Sequence, residues 1–597
     1  MKTHTWPLQI TCLVMLASSS LLMGQLQPID LKEAPLIIDW PQRQDPMLTP
    51  PKPAIIVPQS LHKVWLAALD QPEVQVRVQT MEAITTASKM QIKNLTDIYA
   101  AKLRVILDQS QSNNALALAA AKTLIALDDK DASPLLLQRN HSAQIDWVLL
   151  TDPVLARWQR IDAVKTWIKR ASDTNASWTI RHSALEQLAT LHPENAQGPL
   201  RQLLGAPSLG PLLKLSTAKA LGQIATQGLL GDAQSLVQGD LTSKLTAIAC
   251  LQSHDSGQVR KFLQSQLQES EPAYVLQVAL LLNKIAPQTL AAHSRSLQVH
   301  SDASLRLLAA TNLIDQITAP RVNQLAPMLG DVHPAIRKTV RDAFIKLGTD
   351  KKLSHKIIAV TRKQLVRGNW QEQEQAAYIL GKLGVKDSID ALFTVLQDSP
   401  HMEVRLACAT AIRWLNVSSK REQALQICQG LFDRIKKTHA SEHTLVLSQL
   451  VQWLGQSKYT PACPLLIKLI PKNSAPSTVR EAGIWAIGKM GPTPETNTLT
   501  NQLMARIKDL NGMDPEIYDV QIAAMVTLVR LGKFQTLANY FNSSQETIMM
   551  MLDMPEIQAC QTWATSLSEG KPFVMPTPKP TIASSWFLQP LKMTIQD

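Results

Sequence analysis

The sequence predicts an all-α fold, an α-α superhelical solenoid of stacked helix pairs, and three observations predict it. A segment of similar pattern recurs about every 30 to 40 residues, the mark of an array rather than of one globular core. The composition is 45% hydrophobic and only 5% aromatic, which suits Leu and Ala packing between helices and disfavours a β-sandwich or barrel. The length of 597 residues fits an array, because repeats add without enlarging a central core.

Taken from the N-terminus, residues 1–24 read as an export signal. Lys2 gives a positive start, Ile10 to Leu22 form an apolar stretch, and Met23-Gly24-Gln25 suits cleavage. Pro7 and Ser18-Ser19-Ser20 make the stretch too short for a membrane span, which needs about 20 apolar residues. The reading places the protein outside the cytoplasm, periplasmic or extracellular. Residues 25–60 hold Pro28, Pro35, Pro41, Pro46, Pro50, Pro51, Pro53 and Pro58, too many for a long helix, and read as an extended linker. Within it, Leu36-Ile37-Ile38-Asp39-Trp40 is apolar enough to dock on the first repeat.

The solenoid is expected over residues 61–569. Aligning the start of each second helix places Arg77, Leu118, Arg181, Leu215, Leu245, Leu276, Arg306, Arg337, Gln375, Arg405, Val446, Arg480 and Gln521 at one phase. The long step from Leu118 to Arg181 leaves room for a degenerate repeat around Trp147 to Trp167. Apolar residues such as Ile336, Val340, Ala343, Phe344 and Leu347 fall at helical intervals, with Gly348 expected as a left-handed helix end. Trp414, Trp453 and Trp485 take related late positions in their helices and read as core. Residues 570–597 contain Pro572, Pro576, Pro578 and Pro580, and form a tail whose Trp586-Phe587-Leu588 would cap the array or serve as a short binding peptide.

The clearest copy runs from Tyr378-Ile379-Leu380-Gly381-Lys382-Leu383-Gly384 through a helix at Ser388 to Leu396. It continues through the turn Asp398-Ser399-Pro400 to Val404-Arg405-Leu406-Ala407-Cys408-Ala409. These residues resemble the HEAT repeat, in the form found in phycobilin-lyase-like proteins. An aliphatic residue followed by Arg recurs at Val76-Arg77, Ile180-Arg181, Leu305-Arg306, Ile336-Arg337, Val404-Arg405 and Val479-Arg480. Turn residues Asp70, Asp331 and Asp398 are placed to cap the following helix, and each Arg to bridge turn carboxylates of its own and adjacent repeats. The resemblance implies that these charges form a structural ladder.

No catalytic motif emerges. His439-Ala440-Ser441-Glu442-His443 fits the H-x-x-E-H spacing but lacks a downstream ligand half and reads as an inter-repeat turn with a helix starting near Ser441. Asp128-Asp129-Lys130-Asp131 is no complete calcium loop. Beyond Cys12, the cysteines Cys250, Cys408, Cys428, Cys463 and Cys560 have no CxxC spacing; Cys250 and Cys408 occupy small-residue core positions. No catalytic, cofactor or metal residue is assigned.

The chain carries 60 Lys and Arg against 48 Asp and Glu, net +12. The surplus concentrates between Arg337 and Arg367, where ten basic residues face Asp342 and Asp350 alone, a local +8. Arg337, Arg341, Lys352, Lys356, Lys363 and Arg367 are the candidate partner-binding residues, the last four spaced for one helix face. The leading functional expectation is a non-enzymatic exported scaffold binding a protein partner or an acidic envelope polymer. The alternatives are a tetrapyrrole-handling enzyme, as the phycobilin-lyase resemblance implies, and nucleic-acid-backbone binding through the basic segment.

Overall fold

The computed structural model describes residues 36, 38–48, 55–56, 58–110, 112–141, 144–438, 443–510, 513–543, 554–574 and 581–582. Stacked helix pairs make up nearly all of them. Two compact units are distinguished.

The first unit comprises the described residues between 52 and 286, together with Thr581 and Ile582. Its second helices are Val74–Lys89, Asn114–Ala126, Ile145–Arg157, Trp178–Leu191, Pro211–Ile224, Leu241–Cys250 and Pro272–Ile285. Each follows a first helix, from Gln59–Ala68 to Gly257–Gln266. The expected degenerate repeat is the pairing of Ser133–Asn140 with Ile145–Arg157, and Trp167 lies on the next first helix, Val164–Ser172. Here the core holds a buried polar cluster: Asp152 accepts from Trp167 Nε1 at 2.8 Å, from Asn140 Nδ2 at 2.7 Å and from Ser183 Oγ at 3.0 Å, and pairs with Arg170. Full burial of Asp152 is tolerated because its oxygens are satisfied. Ile55 and Ile56 pair with Thr581 and Ile582 in a short parallel ladder.

The second unit comprises the described residues between 287 and 578 and the N-terminal segment up to Leu48. Its second helices are Ala303–Asp315, Pro334–Leu347, Trp370–Lys382, Met402–Leu415, Thr444–Gln456, Ser477–Met490 and Tyr518–Arg530. Phe534–Ser543 and Pro555–Ser568 follow. All the aligned anchor residues of both units fall on second helices. Within each unit these helices pack on one another more closely than the first helices do, so they form that unit's inner layer. Small residues permit that approach: a Cβ on Gly455 would lie 2.5 Å from the Cα of Ala486.

Several local expectations are corrected. Gly348 has φ −66°, a right-handed conformation, and its need is spatial, since a Cβ there would meet Leu383 at 2.6 Å. The left-handed glycine of that stretch is Gly384, at φ +68°. Asp70, Asp331 and Asp398 are not helix caps. Asp70 pairs with Lys102, Asp398 ends the preceding helix, and Asp331 lies two residues before the cap, where it accepts from the His333 N–H at 2.8 Å. Caps come instead from residues directly before the helix, such as Asn113, Asp240 and Asp302, and from a capping box between Asn369 and Glu372.

The arginine ladder is present in part. Arg306 grips Asp331 of the next turn at 2.8 and 2.9 Å while donating to the carbonyls of His300 and Ser301. Arg480 donates to the Ala475 carbonyl and, at 2.5 Å, to buried Glu516, which Arg506 also approaches. Arg181 reaches the Ala171 carbonyl instead of a carboxylate. Trp453 and Trp485 are buried, whereas Trp414 is half-buried. All of the described cysteines are buried free thiols, and burial pushes Cys250 up to about 12, with Asp232 adding to the effect.

Candidate functional site: an inner helix face carrying the N-terminal segment

Inner helices of the second unit carry polar side chains that meet the N-terminal segment. Glu481, Trp485 and Lys489 recur at four-residue spacing on Ser477–Met490, which puts them on one face. Gln449 and Gln452 lie on Thr444–Gln456, Arg413 and Trp414 on Met402–Leu415, and Asp519 and Arg530 on Tyr518–Arg530. Residues 39–48 lie across this face. The apolar segment expected to dock on the first repeat is therefore seated elsewhere, because its polar residues, Asp39, Gln42, Arg43 and Asp45, find partners on these later helices.

Asp39 accepts from Arg413 at 2.6 Å and from Trp414 Nε1 at 3.0 Å, and its carbonyl accepts from Gln449 at 3.3 Å. Pro41–Gln44 makes one helical turn, with Pro41 and Gln42 buried and Gln42 bonded to Gln452 at 2.5 Å. Arg43 reaches back to Glu481, at 3.3 Å through two nitrogens, and to Asp519 at 2.8 Å. Asp45 closes the run: its carboxylate meets Arg530 at 2.9 Å and Lys489 at 2.8 Å, and its carbonyl accepts from Trp485 Nε1 at 2.8 Å. Leu48 inserts into the hydrophobic core of this unit.

The electrostatics are reciprocal. Burial pushes the Arg413 and Arg530 guanidinium groups below their ordinary value, and Asp39 and Asp45 respectively oppose the shift. Among the described residues, these two aspartates are the only carboxylates in ion pairs with those arginines. Glu481 is buried, which raises its carboxyl above the usual range, and Arg43 counters this. The face thus reads as cation, anion, cation, and the segment as Asp39, Arg43, Asp45.

The basic residues singled out by sequence are dispersed. Arg337 donates to the Asp331 and Val332 carbonyls of its own turn. Arg341 is buried, bonded to Asp342 and Gln375 and stacked on Tyr378 at 5.2 Å. Lys352 precedes the Ser354–Arg367 helix, which carries Lys356, Lys363 and Arg367. Lys352, Lys363 and Arg367 are exposed, Lys356 half-buried, and no ion pair holds any of the four among the described residues. Arg362, on the same helix, is paired with Asp387.

Residues 439–442 of the H-x-x-E-H spacing lie outside the described residues, as does Trp586-Phe587-Leu588. His443 is buried at the start of Thr444–Gln456, 3.5 Å from Arg405. Among the described residues no group of three His, Cys, Asp or Glu could hold a metal. No described helix is long and apolar enough to cross a membrane. In the first unit, Asn114, Arg139 and Trp147 line an open cleft of about 410 Å³, where the Trp147 Nε1 donates to Asn114 at 2.8 Å.

Sequence reasoning missed the inner face because Trp414 and Trp485 were read as core and its charged residues were not singled out. Lys382, Arg413, Lys489 and Arg530 stand at or near the ends of four of the five inner helices from Trp370–Lys382 to Tyr518–Arg530, and a basic residue recurring at that late phase was the available signal.

No family model matches the chain, and no curated protein matches it. Solved structures with similarity include importin beta, at 12% identity and TM-score 0.40, covering 85% of this chain and 77% of that one. Kap95p bound to RanGDP, studied for nuclear import complex assembly, gives 11%, 0.44, 85% and 77%. Karyopherin Kap121p gives 13%, 0.38, 86% and 53%. The exported, periplasmic or extracellular placement is corrected: nothing in these comparisons supports it. The placement rested on an apolar run in residues 1–24, which lie outside the described residues, and it is withdrawn. What the chain itself shows is an all-α, HEAT-like solenoid.

Proposed function

We propose that this chain is a non-enzymatic scaffold that binds a protein partner on the inner face of its helix array. One observation carries the reading: side chains from four successive inner helices already hold a peptide segment, Asp39 to Leu48, by main-chain and side-chain bonds. Side chains arrayed at repeat spacing suit a polypeptide, whose polar groups also recur at regular intervals. The test is affinity capture from the native host, identification by mass spectrometry, and reconstitution of the complex from purified components by calorimetry. A one-to-one complex with a purified protein is expected. Recovery of a coloured chromophore or of nucleic acid, with no protein that reconstitutes, contradicts the scaffold and favours the phycobilin-lyase-like or nucleic-acid reading.

A second surface is favoured by four basic residues around the Ser354–Arg367 helix that no ion pair holds among the described residues. Lys352, Lys356, Lys363 and Arg367 contribute attraction for an acidic partner, while Arg337 and Arg341 hold the repeat together. Replacing those four with Glu is expected to weaken capture and flatten its salt dependence with helicity unchanged. Unchanged affinity and salt dependence would remove this surface from the reading.

A further inference from the structure

We propose that the inner face of the second unit is a recognition site for a partner protein's segment bearing Asp at one position, Arg four residues on and Asp six residues on, and that residues 39–45 are a built-in competitor for it. The inference rests on the scaffold reading and specifies its ligand.

Three observations converge. The contacts are carried by side chains of the array, not by continuous backbone pairing, so the site reads a residue pattern. Its determinants alternate in sign along the segment: Arg413 for the first carboxylate, Glu481 and Asp519 for the arginine, Arg530 with Lys489 for the second carboxylate. Trp414 and Trp485 aim their indole N–H groups at the first carboxylate and at the carbonyl of the second Asp, which fixes register as well as charge.

The segment also retains features of an exchangeable ligand. Arg43 is half exposed, Gln44 and Met47 are exposed, and Asp39 and Asp45 keep side-chain exposures of 35% and 42% while their Arg413 and Arg530 partners keep 3% and 15%. In these two pairs the array supplies the buried half and the segment the accessible half. Arg530 Nη1 is buried without a hydrogen-bond partner among the described residues, so the resident segment leaves part of the second cationic position unused. An incoming segment able to satisfy that donor has an advantage that residues 39–45 lack.

Competition in cis lowers apparent affinity by the fraction of molecules with the face open. The test uses the full chain and a fluorescein-labelled peptide of residues 38–48 as probe. In the Asp39→Ala/Asp45→Ala chain the peptide is expected to bind about tenfold or more tightly than in the wild type, and a peptide with both Asp changed to Asn to bind about tenfold more weakly. Adding Arg413→Ala and Arg530→Ala should abolish binding. Equal affinity for wild type and Asp39→Ala/Asp45→Ala chains of matching circular dichroism overturns the proposal, as does undiminished binding of the Asn peptide. Should the double variant fail to fold, hydrogen exchange on the wild type decides: excess peptide must accelerate exchange in residues 38–48, and persistent protection overturns the proposal. Concentration-dependent dimerisation through exchanged N-termini would overturn it in favour of a second copy as occupant. A reconstituted protein partner that leaves residues 38–48 protected sinks this inference and spares the scaffold reading; peptide displacement with no reconstituted partner supports the site and counts against that reading.

Discussion

At the scale of single residues, the structure separates buried charge pairs within the array from exposed ones. Arg306 and Asp331 are both nearly buried and bonded bidentately. Removing one member of such a pair leaves the other desolvated, a loss of about 3–5 kcal/mol. Arg306→Ala is therefore expected to lower the urea midpoint strongly, whereas Arg260→Ala, whose pair with Asp255 is exposed, should change it little. Glu516 adds a pH dependence. Burial would raise its carboxyl, but Arg480, the Ile517 N–H and Arg506 together hold it below the usual Glu value. A depressed folded value means stability fully present above the unfolded value of 4.5 and lost as pH falls through the lower folded one. Wild-type stability should drop below pH 4.5, and Glu516→Gln should start less stable at neutral pH yet show a flatter acid limb. A wild type and variant with parallel acid limbs would place the acid sensitivity elsewhere. The repeated phase marked the ladder arginines, but their acceptors depend on how each turn folds: Arg181 and Arg337 meet backbone carbonyls.

At the scale of elements, the anchor alignment located every described second helix except Ile145–Arg157, the degenerate repeat, because helix period and turn spacing are local properties of the chain. Helix contacts were less legible. Gly348 does end its helix, but in a right-handed conformation, and the need for glycine there involves Leu383, a residue of the next repeat. The same spatial logic yields a paired prediction. Gly455→Ala places a Cβ 2.5 Å from the Ala486 Cα, so two inner helices must separate, at a cost of about 1–3 kcal/mol. Gly430 lies inside the Arg421–Thr438 helix with nothing within 4 Å of an added Cβ, so Gly430→Ala should stabilise by about 0.4–1 kcal/mol. Thermal unfolding of the two variants checks both signs. A neutral Gly455→Ala would mean that the inner helices are not in close contact there.

At the scale of the whole chain, what sequence could not reveal is where the N-terminal segment sits. Asp39 and Arg413 are 374 residues apart, and Asp45 and Arg530 are 485 apart, so no local pattern links them. The proline-rich composition identified a non-repeat segment, while its charges, which select the later helices, look like those of any linker. The central claim is that Asp39 and Asp45 are seated on Arg413 and Arg530, and double-mutant cycles measure it most directly. Urea unfolding is followed for Asp39→Asn, Arg413→Gln and their combination, and likewise for Asp45→Asn and Arg530→Gln. The account predicts coupling of about 1–3 kcal/mol in each cycle. Single-variant effects that simply add, within about 0.3–0.5 kcal/mol in both cycles, would contradict it.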